Sequence, residues 1–99
     1  MPTYVIVELS VVDAETYERY KSLAEASVTT HGGTYKVRGG KIESVEGEPV
    51  TDRVVLLEFP DMATARNWYH SAEYQAALPL RLAAAATSRL FFIEGYEAP

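Results

Sequence analysis

The feature that most constrains the fold is an alternation of side chains with a period of two residues. It occurs in three segments, and in each of them both sets of alternating residues are largely apolar. The segments are "PTYVIVELSVV" (2–12), "RVVLLEF" (53–59) and "SRLFFIEGYE" (88–97). In the first segment, Val5, Val7 and Leu9 alternate with Tyr4 and Ile6. Since successive side chains of a strand point to opposite faces, this period predicts three β-strands.

Helical spacing follows the first strand. Asp13 can cap a helix over about residues 14–30, and the glycines of "HGG" (31–33) can end it. Its inward positions share one helix face: Tyr17, Tyr20, Ala24 and Val28. The pattern predicts an amphipathic helix that packs on the sheet.

A second helix is predicted after Pro60-Asp61. We expect it to pause near Ser71 and to start afresh at Pro79, because proline lacks an N–H and clashes with the preceding turn. The alanine run 83–86 would complete this helix.

Between the helices, "TYKVR" (34–38) and "IESVE" (42–46) flank Gly39-Gly40 and predict one strand interrupted by a turn or bulge. The order is then β-α-β-β-α-β. This order is typical of a ferredoxin-like α+β sandwich, a four-stranded antiparallel sheet with two helices on one face. We expect one such domain over residues 1–99.

That topology leaves one apolar face of the sheet without helices. We expect the covered face to carry Val5/Val7/Leu9, Val55/Leu57/Phe59 and Phe91/Ile93. The open face would carry Tyr4/Ile6, Val54/Leu56 and Leu90/Phe92. An exposed apolar surface of this extent marks an interface, so we predict a homodimer whose two sheets pack face to face.

Composition excludes several classes of function. The chain has no cysteine, so disulfides, thiolate metal sites and cysteine nucleophiles are excluded. The formal charge of −5 argues against nucleic acid as a partner, and no apolar run is long enough to span a membrane. The N-terminal stretch lacks the basic region of a signal peptide, so we expect a cytoplasmic protein.

Three carboxylates, Glu8, Glu58 and Glu94, end the strong strands. Glu58 and Glu94 should flank Tyr4 at one end of the open face. One interpretation is a general base with a raised pKa at the rim of an apolar cavity. The favoured alternative is pairing with cations on neighbouring strands, for which the candidates are Arg53, Arg89, Lys36 and Arg38.

The two histidines have both structural and chemical interpretations. His31 precedes the glycine pair at the end of the first helix, where it can cap free carbonyls; as a catalytic base it would have to face the cleft between helix and sheet. His70 ends the first part of the second helix, where capping suffices. Their spacing matches no metal-binding pattern, so no metal site is predicted.

An arginine lies on an otherwise apolar stripe of the second helix. Tyr74, Leu78 and Arg81 are spaced four and three residues apart. Arg81 could hold a substrate carboxylate or enolate through a forked hydrogen bond, with Tyr69 or Tyr74 as neighbouring donors. Alternatively, Arg81 pairs with a carboxylate or with the partner subunit, and Trp68 and Tyr69 fill the core; the carboxylates considered are Glu73 and Glu58.

Several stretches together resemble the domain of unknown function 1330 family. They are "WYHSAEYQAALPLR" (68–81), Tyr20, "HGGTYKVRGG" (31–40), "LLEF" (56–59) and "FFIEGY" (91–96). The resemblance implies a dimeric α+β barrel, in whose superfamily are cofactor-independent monooxygenases, isomerases, dehydratases and haem-using enzymes. The family's recurrent polar positions correspond to Tyr20, Arg38, Glu58, Tyr69, Ser71, Tyr74 and Arg81, and Ala72 stands where many members have proline.

Two hypotheses follow for function. The first is a cofactor-independent enzyme of monooxygenase or isomerase type that acts on a small apolar carbonyl or phenolic compound in a helix-sheet cleft. Glu58 or His31 would take a proton there. The substrate-binding candidates are Tyr20, Arg38, Tyr69, Tyr74 and Arg81. The second hypothesis is a non-catalytic dimeric module that binds a small molecule or a protein.

Overall fold

The computed structural model describes residues 1–49 and 51–98. Its elements are β1 (Thr3–Val11), α1 (Ala14–Thr30), β2 (Thr34–Arg38), β3 (Arg53–Phe59), α2 (Met62–Tyr69), α3 (Ala72–Ala84) and β4 (Ala85–Glu94). Only His70 and Ser71 separate α2 from α3, so together they form the second predicted helix. The predicted ferredoxin-like βαββαβ sandwich is confirmed.

The four strands form one antiparallel sheet in the order β2-β3-β1-β4. The register places Tyr4 of β1 opposite Glu58 of β3 and Ile93 of β4. Directly opposed residues of antiparallel strands point to the same face, so the register assigns every strand residue to one side of the sheet.

Each helix begins at a side-chain cap. Asp13 accepts a hydrogen bond from the backbone N–H of Thr16 at 3.1 Å, and Asp61 accepts one from that of Thr64 at 2.8 Å. Ser71 accepts from the N–H of Tyr74 at 3.1 Å. These bonds satisfy N–H groups that the first helical turn leaves free, which explains why α1 begins where the sequence predicts.

The helices cover the face of the sheet that carries the odd-numbered residues of β1 and β3. Val5, Leu9 and Phe59 are fully buried there. Trp68 of α2 packs against Phe59, with ring centroids 5.3 Å apart, and is buried as well. A single core therefore lies between the helices and this face.

The prediction for β4 had its two faces exchanged. Phe92 lies opposite Val5 and packs against the core, whereas Phe91 and Ile93 are 42% and 49% exposed on the open face. Both sets of alternating residues in β4 are apolar, so period alone does not say which set faces the helices. The register with β1 decides it. For the same reason Glu94, which is opposite Thr3, does not flank Tyr4 on the open face.

Two predicted element boundaries were also wrong. Pro79 does not start a new helix but lies inside α3, and α3 ends at Ala84. The carbonyl of Ala84 accepts from the backbone N–H groups of Val12 and Asp13, and Ala85 already pairs with Val11 in the sheet, so this pairing divides the alanine run.

The predicted second half of the interrupted strand, residues 42–46, is an irregular loop. Pairing with β3 ends at Gly39, whose φ of +70° turns the chain out of the extended conformation. No helix within residues 1–49 and 51–98 has the length and hydropathy of a membrane span.

Candidate functional site

A cleft opens between α1 and the β2–β3 side of the sheet. Its apolar floor includes Val7, Val55 and Leu57. Its polar lining consists of three phenols and three cations: Tyr17, Tyr20, Tyr35, Lys21, Arg38 and Arg53. The free space of the cleft is about 400 Å³, which includes the part open to solvent. The enclosed part is small, so a molecule the size of an aromatic ring enters only when side chains at the mouth move.

Arg53 is the best-positioned cation of the cleft. Its Nε donates to the Tyr17 hydroxyl at 2.7 Å, and its guanidinium carbon lies 5.0 Å from the centroid of that ring. The guanidinium also rests against Gly39, whose φ of +70° suits glycine and whose missing side chain leaves room for it. Within the described chain Arg53 has no salt bridge, so its charge is available to a ligand.

Arg38 lies at the mouth of the cleft. Its guanidinium carbon is 4.6 Å from the centroid of the Tyr35 ring, and its Nη2 donates to Glu25 at 3.2 Å. This hydrogen bond raises the pKa of Arg38, so the guanidinium stays charged. Burial raises the pKa of Tyr35 although Arg38 opposes the shift, and the phenol stays protonated.

A buried hydrogen-bonded chain continues from the inner end of the cleft. The hydroxyls of Tyr20 and Tyr74 are 3.0 Å apart, and Arg81 Nε donates to the Tyr74 hydroxyl at 3.2 Å. Arg81 Nη1 also donates to Ser88 Oγ. Tyr74 is 0% exposed and Arg81 4% exposed. Burial, reinforced by the neighbouring Tyr74, raises the pKa of Tyr20 well above its ordinary value.

The structure brings together three of the five predicted substrate-binding residues, Tyr20, Tyr74 and Arg81, and places a fourth, Arg38, at the mouth of the same cleft. The sequence left the partner of Arg81 open; in the structure Arg81 donates to Tyr74 and Ser88. Burying a cation beside neutral hydroxyls is unusual, since buried charges are generally paired with opposite charges.

Tyr69 lies outside this cleft. Its ring packs against Trp68, Tyr74 and Phe92, and it borders a second, more open groove beside β4. Trp68 donates from Nε1 to Ser27 Oγ at 3.0 Å. Both aromatic residues therefore contribute to packing, as the alternative interpretation proposed.

Neither predicted base lines the cleft. Glu58 points to the open face of the sheet, since its neighbours Leu57 and Phe59 face the helices. His31 caps α1, and its Nε2 lies 3.2 Å from Glu73. No observation tests the catalytic roles of Glu58 and His31, which stay predictions. Glu8, in contrast, pairs with Arg89 at 2.9 Å, which confirms the pairing interpretation for that carboxylate.

Four of the polar cleft residues were not predicted from the sequence to belong to a site: Tyr17, Lys21, Tyr35 and Arg53. Tyr17 has the spacing of a core position, and Tyr35 and Arg53 belong to different strands. The available signal was the cluster of Tyr17, Tyr20 and Lys21 on one face of α1. In the described ranges, no group of three or more His, Asp or Glu side chains could hold a metal ion.

The sequence profile of the family described as Domain of unknown function (DUF1330) matches residues 2–96. The chain belongs to this family. The match confirms the resemblance found in the "WYHSAEYQAALPLR" stretch and its companion segments. No curated protein matches the chain significantly.

Solved structures share the fold of this DUF1330 protein. A protein of unknown function from Rhodopseudomonas palustris superposes with a TM-score of 0.81 at 20% identity, over 98% of this chain and 84% of that one. A dimeric ferredoxin-like protein of unknown function from Thermobifida fusca gives 0.69 at 14% identity, over 94% and 90% of the two chains. A cofactor-independent oxygenase from Streptomyces nogalater gives 0.67 at 15% identity, over 98% and 95%. At these identities the likeness shows a common fold.

Proposed function

We propose that this DUF1330 protein binds a small apolar molecule with a carboxylate, enolate or phenolate oxygen in the cleft between α1, β2 and β3. The observation that carries the proposal is the lining itself. An apolar floor meets three cations and three phenols, and no carboxylate or imidazole of the described chain belongs to it. Such a lining stabilises an anion and accommodates an apolar body.

Arg53 would supply the principal contact with the anion. It is half-buried, its orientation is fixed by Tyr17 and Gly39, and no described carboxylate neutralises it. A hydrogen bond to a charged group contributes about 1.5–3 kcal/mol. Arg38 and Lys21 would act at longer range, since Glu25 and Glu18 already pair with them.

The described lining holds no carboxylate or imidazole, the most common general bases, which favours a ligand that is already ionised. Binding alone then accounts for the cleft, which corresponds to a non-catalytic small-molecule-binding module. A second candidate is the oxygenation of such an anion without a cofactor, favoured by the fold shared with a cofactor-independent oxygenase. At a CH₂ carbon this reaction would consume one O₂, place one oxygen atom in a new carbonyl and release the other as water with the two hydrogens.

The open face of the sheet supports a homodimer. It presents a continuous apolar surface: Tyr4, Ile6, Val37, Val54, Leu56, Phe91 and Ile93. Exposed apolar surface of this kind is typical of an interface, and structural neighbours are dimeric ferredoxin-like proteins. A second copy packed sheet to sheet would bury the same residues on both subunits.

Titration calorimetry with benzoate, and with benzamide as its neutral isostere, tests the proposed ligand class. We expect the wild-type protein to bind benzoate more tightly than benzamide. Replacing Arg53 by Gln should weaken benzoate binding at least tenfold, because about 1.4 kcal/mol corresponds to a factor of ten. Arg66→Gln, on the exposed side of α2, is the matched control and should leave the affinity unchanged.

Equal binding of benzoate and benzamide, or equal losses in the two arginine variants, would contradict the proposal. The oxygenase candidate is tested separately with an oxygen electrode. Phenolic and keto-acid compounds that raise the melting temperature should be consumed together with one equivalent of O₂. Binding without oxygen consumption would leave the binding module and reject the oxygenase.

A further inference from the structure

The buried chain of Tyr20, Tyr74 and Arg81 has a direction that hydrogen-bond chemistry fixes. Arginine only donates, so Arg81 Nε donates to the Tyr74 oxygen. Tyr74 is fully buried, and the only acceptor within reach of its hydroxyl hydrogen, among residues 1–49 and 51–98, is the Tyr20 oxygen. The opposite direction would leave the Tyr74 hydrogen buried without an acceptor, which costs about 1–3 kcal/mol. Tyr74 therefore donates to Tyr20.

This direction leaves the Tyr20 hydrogen free. Tyr20 is 7% exposed and lines the cleft, and its hydroxyl makes no hydrogen bond in the described chain other than the one to Tyr74. Since the Tyr20 oxygen already accepts, its own hydrogen needs an acceptor from outside the protein. The pKa of Tyr20 is raised by burial, so this phenol donates over the whole neutral range.

We propose that Tyr20 is the ligand-facing hydrogen-bond donor at the inner end of the cleft. Arg81 is a positioning residue, because it acts through Tyr74 to fix the direction of the Tyr20 O–H. This arrangement selects ligands with an acceptor-only oxygen. This inference rests on the proposed function of the cleft. A carboxylate, enolate or phenolate oxygen can accept from Tyr20, whereas a ligand group that donates would face an O–H that already points at it.

The charge of Arg81 strengthens this selection. Arg81 is 4% exposed and has no carboxylate partner within the described residues. The C-terminal end of α3 partly compensates its charge. A ligand anion bound at Tyr20 would compensate it further, because chains of hydrogen bonds polarise one another in a low-dielectric interior.

A double-mutant cycle with benzoate as the probe tests the inference. Tyr20→Phe should weaken binding about tenfold or more, the value of one hydrogen bond to a charged group. Arg81→Gln should weaken it less, about three- to tenfold, because Arg81 acts only through the chain. In the Tyr20→Phe background, Arg81→Gln should then have almost no further effect.

Tyr35 provides the matched control. Its phenol lines the same cleft but has no hydrogen bond to the chain from Arg81. The effects of Tyr35→Phe and Arg81→Gln on benzoate affinity should therefore multiply independently. Arg81→Lys, which keeps a charge and a donor, should recover part of the affinity lost in Arg81→Gln.

Three results would overturn the inference. Unchanged benzoate affinity in Tyr20→Phe, with a loss in Arg53→Gln, would leave the proposed function intact and remove Tyr20 as the donor. Independent effects of Tyr20→Phe and Arg81→Gln on benzoate affinity would mean that Arg81 acts through long-range electrostatics and not through Tyr74 and Tyr20. A wild-type protein that binds no benzoate would remove both the proposed function and this inference.

A second variant covers the case in which Arg81→Gln fails to fold. Tyr74→Phe keeps the ring and removes only the hydroxyl that links Arg81 to Tyr20, and a melting curve checks that it folds. It should weaken benzoate binding at least threefold, because Tyr20 loses the hydrogen bond that sets its direction. Unchanged benzoate affinity in folded Tyr74→Phe would contradict the proposed direction of the chain.

Discussion

The two faces of the sheet are both apolar, yet they differ in where their polar side chains lie. The helix-covered face holds a buried arginine and several phenols beside its core, around a cleft of small free volume. On the open face, Glu8 and Glu58 point away from the core, and Glu8 pairs with Arg89 at 2.9 Å. Under the proposed function, the covered face binds a small apolar anion, and the open face binds a second copy of the chain.

The contrast separates two kinds of stability. Residues on the covered face contribute to the folding of each subunit. In the proposed homodimer, residues on the open face contribute to association, since Phe91 and Ile93 are 42% and 49% exposed in the single subunit. Substitutions on the covered face should therefore change folding stability, and substitutions on the open face should change association.

The largest loss of folding stability is expected for Trp68→Ala on the covered face. Trp68 is 1% exposed, packs against Phe59 and donates to Ser27. Its removal should lower the free energy of unfolding by about 3–5 kcal/mol, measured by urea denaturation. Leu82→Ala, at an exposed position of α3, should change it by less than about 0.5 kcal/mol. Similar losses in the two variants would contradict the packing described here.

A change in assembly is expected for Leu56→Asp on the open face. Leu56 lies opposite Ile6 in the centre of this face, and a carboxylate there would be buried without a partner in a sheet-to-sheet dimer. The substitution should weaken association by about 3 kcal/mol, or roughly a hundredfold. Light scattering should then show a monomer at micromolar concentration. Val45→Asp, in the exposed loop, should remain dimeric; a monomeric wild-type protein would refute the interface.

A smaller loss of folding stability is expected when a glycine with positive φ is replaced, and Gly39, which borders the cleft, can be compared with Gly47 in a loop. Gly39 and Gly47 have nearly equal φ values, +70° and +72°, but only Gly39 contacts the guanidinium of Arg53. Replacement of either by alanine should cost about 1–2 kcal/mol of folding stability. Only Gly39→Ala should also weaken benzoate binding, because it displaces Arg53. Equal affinities of the two variants would show that Arg53 does not hold the anion.

The smallest effect concerns the caps that hold the helices over the covered face. Hydrogen bonds from the side chain and backbone of Thr16 lower the pKa of Asp13 below 3.8, and those of Thr64 lower the pKa of Asp61 in the same way. Because the folded pKa values are depressed, this stabilisation is present above about pH 4 and is lost as the pH falls through them. The double variant Asp13→Asn/Asp61→Asn keeps both caps without a titrating group, so its melting temperature should fall less between about pH 4 and pH 2. An identical decline in the wild-type protein would contradict the role of these carboxylates.

Local patterns were sufficient for most of the fold. Asp13 and the glycines after His31 define both ends of α1, and the alternation around Val5 defines β1. The pattern failed where its two sides were alike. In β4, Leu90 and Phe92 are as apolar as Phe91 and Ile93, so only pairing with β1 determines which pair faces the core.

The site was predictable only in part. The spacing of Tyr74 and Arg81 predicted that they share one helix face, and the structure joins them by a hydrogen bond. The contact of Arg53 with Tyr17 joins residues 36 positions apart in the chain. It depends on the strand order and on the room left by Gly39, neither of which a local pattern contains.

The most direct test of the division between the two faces is a benzoate titration followed by ¹H–¹⁵N and side-chain NMR. We expect saturable shifts at Tyr20, Tyr35 and Arg53 in the cleft, with Ile6, Leu56 and Phe91 of the open face unaffected. Saturable shifts confined to the open face, or none in the cleft at millimolar benzoate, would contradict it.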